Sequence, residues 1–399
     1  MKRDGMMGWG EAEAAHGPGA QPGENHVRAW PRRRRTGALA LAAVAVTLAG
    51  CGAGGGKMTR SADAGTAQAA PVAGADTAAA PAGSASLAMT PRGPVAKLPP
   101  NELGMIPVLE YHLIQDRITG EFERTPAQFR HDLEQLYADG FRPVTMQDVI
   151  DKSIQSLPKG ISPVVFTFDD ASPSQFSFIG SPAKIDPNSA VGIWRDFQKT
   201  HPDWGDRAVF CMLPGAAAGR SFFGNNGIQG QQTAWRFIKV KWLADHGFQL
   251  CDHTLWHARL DKYSDAFDMQ QIAQGQLAID SAVPGYKVTA MALPLGMWPK
   301  DKAVAWHGSW TNPKTGQSIS YDFNTVFEVS GSPNVSPYRP DFDPHHTHRQ
   351  IMSGDALTNV LKRLDQAGPA SRYISDGDPK TIARPAAVAQ AGPAGGTKP

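Results

Sequence analysis

The chain has 399 residues, 41% of them hydrophobic and 19% charged, with 41 glycines and 32 prolines. That length and balance fit one globular domain of ordinary size with non-globular ends. The first fifty residues hold seven basic and four acidic side chains; removing them from totals of 39 and 37 leaves 32 and 33, so no basic surplus or run is left to attract nucleic acid.

Arg32 to Arg35 precede an apolar run, 37–50, that closes on Leu48, Ala49, Gly50 and Cys51. A positive stretch, a short apolar stretch and small residues make an export signal, and the run is well short of the roughly 20 residues a spanning helix needs. Residues 51–100 are dominated by Ala, Gly, Pro, Ser and Thr and read as a flexible tether, because they carry too little apolar surface to offset ordering entropy. The tail 376–399 has the same character and is expected to be disordered. Residues 1–50 are thus assigned as signal, 51–100 as tether and 101–375 as the domain.

Within the domain, 105–112 reads as a short apolar strand, and 125–140 as a helix carrying Phe129, Leu133 and Leu136 at helical spacing and stopped by Gly140. Strands are expected at 163–168 and 208–213, a helix at 235–246, a strand at 248–251, a helix at 268–279 and a strand at 288–293. Strands alternating with helices imply parallel βαβ units, arranged as an open sheet or a barrel.

Asp169 and Asp170 follow directly on the strand that ends at Phe168, where α/β folds place catalytic groups. Adjacent carboxylates repel, so the pair either caps the next helix or calls for a cation. His253 and His257 lie just after the strand ending at Cys251, and two histidines four apart can turn to one side as metal ligands do. Two imidazoles and a carboxylate at strand ends form a facial set with positions left open for water and substrate.

Thr167, Phe168, Asp169 and Asp170, with His253, Thr254 and His257, resemble the first two motifs of the polysaccharide deacetylases of carbohydrate esterase family four, the NodB-homology proteins. The 107–112 segment Pro-Val-Leu-Glu-Tyr-His, Phe129 with 133–141, and the 293–296 segment Leu-Pro-Leu-Gly resemble the branch that includes the poly-N-acetylglucosamine deacetylases, in the expected order over 105–350. The end of the signal likewise resembles a bacterial lipobox, which implies a lipid on Cys51 and an exported, membrane-anchored protein. The deacetylase resemblance implies a distorted (β/α) barrel of seven or eight strands and one divalent ion on Asp170, His253 and His257. It also implies Asp169 as general base and an extracellular or cell-wall polysaccharide as partner. Zinc is the first expectation for the ion, and cobalt, nickel and iron suit the same donors. The same residues would also serve an O-acetyl carbohydrate esterase, or persist in an inactive carbohydrate-binding lipoprotein.

The chain departs from the family pattern in places. Ala171 stands where Gly usually follows the Asp pair, Ala292 where many members carry an Arg that orients the base, and 171–206 replaces a shorter connection, which implies a remodelled groove rim. No clear motif near the C-terminus supplies the general acid; His112, at the end of the first strand, is the first substitute, while His345, His346 and His348 read as a solvated turn. Pro294 and Trp298 are candidate substrate contacts, and Trp256, Trp298 and Tyr338 suit sugar stacking or core packing equally. Cys211 and Cys251 are read as two small buried thiols, with a disulfide chemically possible after export.

Overall fold

A computed structural model describes residues 93–384 except 216–220, 226, 367, 369 and 370. The signal segment, Cys51, most of the tether and 385–399 lie outside the described residues.

The first half of the domain runs through β1 (Val108–Tyr111), a two-residue pair β2 (Leu113–Ile114) and β3 (Glu123–Arg124), then α1 (Pro126–Ala138), β4 (Phe141–Pro143), α2 (Met146–Ile150), β5 (Ser162–Phe168), α3 (Ala190–Gln198) and β6 (Val209–Met212). The second half has α4 (Arg236–Asp245), β7 (Gln249–Asp252), α5 (Asp265–Ala282), β8 (Ala290–Ala292), the hairpin β9 (His307–Thr311) and β10 (Ser318–Asp322), β11 (Thr325–Phe327), β12 (Gln350–Ile351) and α6 (Ala356–Leu364). Local chemistry sets the boundaries. α1 opens on a capping box between Thr125 and Gln128 with Pro126 in its first turn, and Gly140, at φ +80°, lets the chain reverse into β4. α5 begins earlier than periodicity alone suggests, because the Ser264 hydroxyl accepts the Phe267 N–H and two aspartates occupy the first turn.

The main sheet runs β11-β8-β7-β6-β5-β1-β12, parallel throughout, and β4 joins the N-terminal half of β5. Its edges meet through a parallel bridge between Phe327 and Thr347, where Thr347 N donates to Val326 O (3.0 Å) and Glu328 N to Thr347 O (2.9 Å). The result is a distorted (β/α) barrel whose closing strands are only two and three residues long. All seven residues of β5 are buried, as in parallel strands covered on both faces.

Strand alternation divides the core into two. Leu109, Phe166, Phe210, Leu250 and Met291 pack outward under the helices, while Val108, Val165, Val209, Cys251 and Ala290 fill the barrel interior. Cys211 and Cys251 belong to the inner set, and the reading of them as two separate thiols is corrected. They are direct register partners on adjacent parallel strands, Cα atoms 4.2 Å apart, and are joined as a disulfide.

Two further expectations shift. The 171–206 insertion builds more than a rim. It contains α3, capped by Ser189 and packed on α1, and two fully buried tryptophans, Trp194 and Trp204. Its Asp203 pairs with the buried Arg142 guanidinium at 2.8 Å and accepts the Tyr137 hydroxyl at 2.8 Å, tying the insertion to β4 and α1. The C-terminal boundary also moves. Residues 376–384 stay on the domain, with Glu102 N donating to Ala383 O (2.8 Å) and Gln155 to Thr381 O (3.0 Å).

Candidate metal centre

The alternation that sorts the core also aims the site. Glu110 shares the inward parity of Val108, Asp169 that of Val165, and His253 that of Cys251, so all three reach the barrel mouth above the disulfide. On a regular strand the residue after Asp169 would point the other way. Asp170 escapes this because its φ is +76°, followed by +46° at Ala171; this left-handed turn brings the second carboxylate to the same mouth. Thr254 and His257 use the same device at φ +63° and +61°, which folds the loop after β7 so that both imidazoles converge.

His253 Nε2 and His257 Nε2 lie 3.7 and 3.6 Å from Asp170 Oδ1. These are too long for hydrogen bonds and close to the edge of a tetrahedron of donors about 2.1 Å from a shared ion, roughly 3.4 Å. His253 Nδ1 is held at 2.9 Å from Ala292 O, which leaves the buried Nε2 facing the gap without a hydrogen-bond partner. An orphaned imidazole nitrogen beside a carboxylate and a second imidazole fits a divalent ion, and Asp170, His253 and His257 form a group able to hold one.

Asp169 is placed differently. Arg349, fully buried immediately before β12, donates from Nη1 to Asp169 Oδ1 at 2.7 Å, and its Nη2 lies 3.4 Å from Glu110 Oε1. Burial alone would raise the Asp169 carboxyl, but the Arg349 guanidinium and His253 outweigh it and hold the group at about 2. Asp169 Oδ2 faces His253 Nε2 at 3.9 Å. Asp169 is thus paired with an arginine from outside β8, where position 292 is an alanine.

His112 closes the group. Its Nε2 is 3.6 Å from Glu110 Oε1, its ring packs edge-on against Phe122 at 4.8 Å, and Glu110, His112 and Asp169 offer donor atoms within 4.8 Å of one another. Burial lowers the His112 pKa against the pull of Asp169 and Asp170. Burial first, then the nearby Asp169 and Asp170, push Glu110 up to about 7 although Arg349 opposes them. Gln175, from the insertion, donates to His112 O (2.7 Å) and to Asp169 O, clamping the ends of β1 and β5 together. Asp252 faces outward beneath α5, where a Cβ on Gly275 would lie 2.6 Å from its Oδ1, and that oxygen accepts Thr254 N at 2.6 Å, fixing the turn between the two histidines.

The structure therefore brings Asp169, Asp170, His253, His257 and His112 together. Pro294 is buried beside β8. Trp298 donates its indole N–H to Glu328 (3.1 Å) and packs on His346. The segment 344–346 is a short turn capped by Asp343, with its imidazoles partly exposed: His348 Nδ1 lies 2.9 Å from Glu328, His346 Nδ1 3.8 Å from it, and His345 stacks on Trp306. Sequence reasoning missed two residues. Glu110 had a signal, since a carboxylate in an otherwise apolar strand shares the face of His112. Arg349 had none, because β12 is too short to show a period.

No protein-family model and no curated protein match the chain. In structure it is similar to several solved proteins, among them deacetylases. A polysaccharide deacetylase from Bacillus cereus matches with TM-score 0.44 and 18% identity, over 64% of this chain and 67% of that one. The deacetylase PplD from Streptococcus pyogenes, in complex with acetate, gives 0.47 and 16% over 66% and 99%. IcaB from Ammonifex degensii gives 0.42 and 18% over 64% and 94%.

Calorimetric titration with zinc should show one ion per chain in the wild type. Asp170→Asn and His253→Ala should each weaken binding by more than the roughly 10–100-fold typical of losing a partner outside the ligand set. Asp169→Asn should still bind one ion; loss of the ion in this variant, with retention in Asp170→Asn, would reverse the two roles.

Proposed function

We propose that this protein is a metal-dependent hydrolase that removes acetyl groups from N-acetylglucosamine-containing polysaccharide. The observation that carries the reading is the division of the Asp169–Asp170 pair: one carboxylate is fixed by Arg349 and the other is turned toward two imidazoles. Adjacent carboxylates in such unlike settings suit a base and a ligand.

A divalent ion on Asp170, His253 and His257 would polarise the acetamide carbonyl and acidify a water. The work of the chain itself is proton handling and positioning. Arg349 occupies Asp169 Oδ1, so Oδ2 is the atom that takes the proton of the attacking water. The pairing keeps Asp169 ionised at every working pH and lowers its basicity, so its advantage is position as much as proton affinity. As the carbonyl carbon gains the water oxygen and the C–N bond breaks, the departing amine needs a proton. His112 is the donor this geometry favours: it faces the site with its Nε2 3.6 Å from Glu110, whose carboxyl is pushed up to about 7 and can resupply the proton. The products are acetate and a glucosamine amine.

Acetate release from N-acetylglucosamine oligomers tests these roles. Asp169→Asn should lower kcat by about 10²–10⁴-fold, the range typical of a general base, with the ion retained. His112→Ala should lower kcat with little change in ion content. Turnover at the wild-type rate in Asp169→Asn would refute the assignment.

Export and a lipid on Cys51 belong to the same proposal, supported by the apolar run and small residues before that cysteine. In cells, Cys51→Ala should lose fatty-acid labelling and leave the membrane fraction; unchanged partitioning would contradict the anchor.

A further inference from the structure

Between the two histidines of the β7 loop stands Trp256. Its neighbour Leu255 is 3% exposed and His253 1%, yet Trp256 is 46% exposed. Of the three aromatics that sequence alone leaves open to sugar stacking, the other two are engaged elsewhere. Trp298 is bonded to Glu328, and Tyr338 donates its hydroxyl to Lys152 O at 3.2 Å. Among the described residues, the indole of Trp256 has no ring partner, no cation over its face and no acceptor for its N–H.

The ring is nonetheless held in place. The loop after β6 comes so close that a Cβ on Gly215 would lie 2.7 Å from Cδ1 and 2.8 Å from Nε1 of Trp256, so only glycine fits behind it. Gly215 N donates to Leu255 O at 2.9 Å, and the backbone N–H of Trp256 donates to Gln271 Oε1 at 3.2 Å. Gln271 itself is fully buried on α5. The backbone on both sides of the indole is therefore anchored to the core, and its next residue is the ion ligand His257.

An indole braced on one side and open to water on the other is a large amphipathic surface with little rotamer entropy left to lose. A pyranose ring is its chemical complement. The axial C–H groups form an apolar face that packs on the π system. We propose that Trp256 is the stacking platform that holds a hexose ring of the substrate beside the ion ligands. The site then prefers acetyl groups carried on sugars to acetyl groups of small non-sugar compounds. This deepens the proposed function and rests on it.

The test is binding of N-acetylglucosamine tetramer and of zinc, each measured by calorimetry on the wild type, Trp256→Ala and Trp256→Phe, with acetate release followed separately. Loss of the platform should raise the tetramer Kd roughly 10–100-fold in Trp256→Ala, comparable to losing an aromatic stacking contact, while zinc affinity stays unchanged. Trp256→Phe should recover most of the loss. Quenching of the tryptophan emission on tetramer binding should disappear in both variants. An unchanged tetramer Kd in Trp256→Ala would overturn the proposal, as would a wild type that does not bind the tetramer. A parallel fall in zinc affinity would make Trp256 a brace for the ligand loop and overturn it equally. A wild type that binds the tetramer through Trp256 but releases no acetate would instead sink the hydrolase reading and leave the platform standing.

Discussion

Three carboxyl groups, those of Glu110, Asp169 and Asp170, are gathered in the barrel mouth around a single guanidinium, that of Arg349. Buried charge of one sign is expensive unless it is paired, and one arginine cannot balance three carboxylates. The molecule shows both ordinary responses. Asp169, closest to Arg349, is held ionised, while Glu110, farther from it, is pushed up to about 7 by burial and by the charges of Asp169 and Asp170. Asp170 Oδ1 faces His253 and His257. With Asp169 paired to Arg349, a divalent cation at the third carboxylate would remove the remaining imbalance, and this is where the imidazole donors are. The electrostatics of the mouth and the geometry of the donor set thus point to the same requirement.

The backbone meets that requirement by ordinary means used in unusual places. Strand parity sends Glu110, Asp169 and His253 inward, and four non-glycine residues near the site at positive φ, Asp170, Ala171, Thr254 and His257, break the parity where a second inward group is needed. Such conformations persist only where the surroundings hold them. Here the supports are the Cys211–Cys251 disulfide in the layer below, the Gln175 clamp across β1 and β5, and the Asp252 carboxyl under the histidine turn. Barrel closure matters for the same reason. The bridge between Phe327 and Thr347 sets the start of β12, and with it Arg349, whose guanidinium also lies over the Phe327 ring at 5.6 Å.

The parts legible in sequence were those with a strong local pattern. β5 is a continuous apolar run, α1 carries its capping box and glycine stop, and the paired aspartates and spaced histidines stand at strand ends where chemistry is expected. What stayed hidden depends on distant contacts. β11 and β12 are shaped by barrel closure and are too short to carry a period. Arg349 joins the site only once that closure places it beside Asp169. The disulfide depends on strand register, which two isolated cysteines do not reveal. α3 is the exception, since Val191, Trp194 and Phe197 have helical spacing after a Ser189 cap and could have been read as a helix.

The central claim is that acetate release needs one ion bound by Asp170, His253 and His257. Its most direct test is the rate of acetate release from N-acetylglucosamine oligomers by chelator-stripped protein titrated with zinc. The rate should start at background and rise in proportion to added ion until one equivalent per chain is bound. Full activity in the stripped protein, before any ion is returned, would contradict the account.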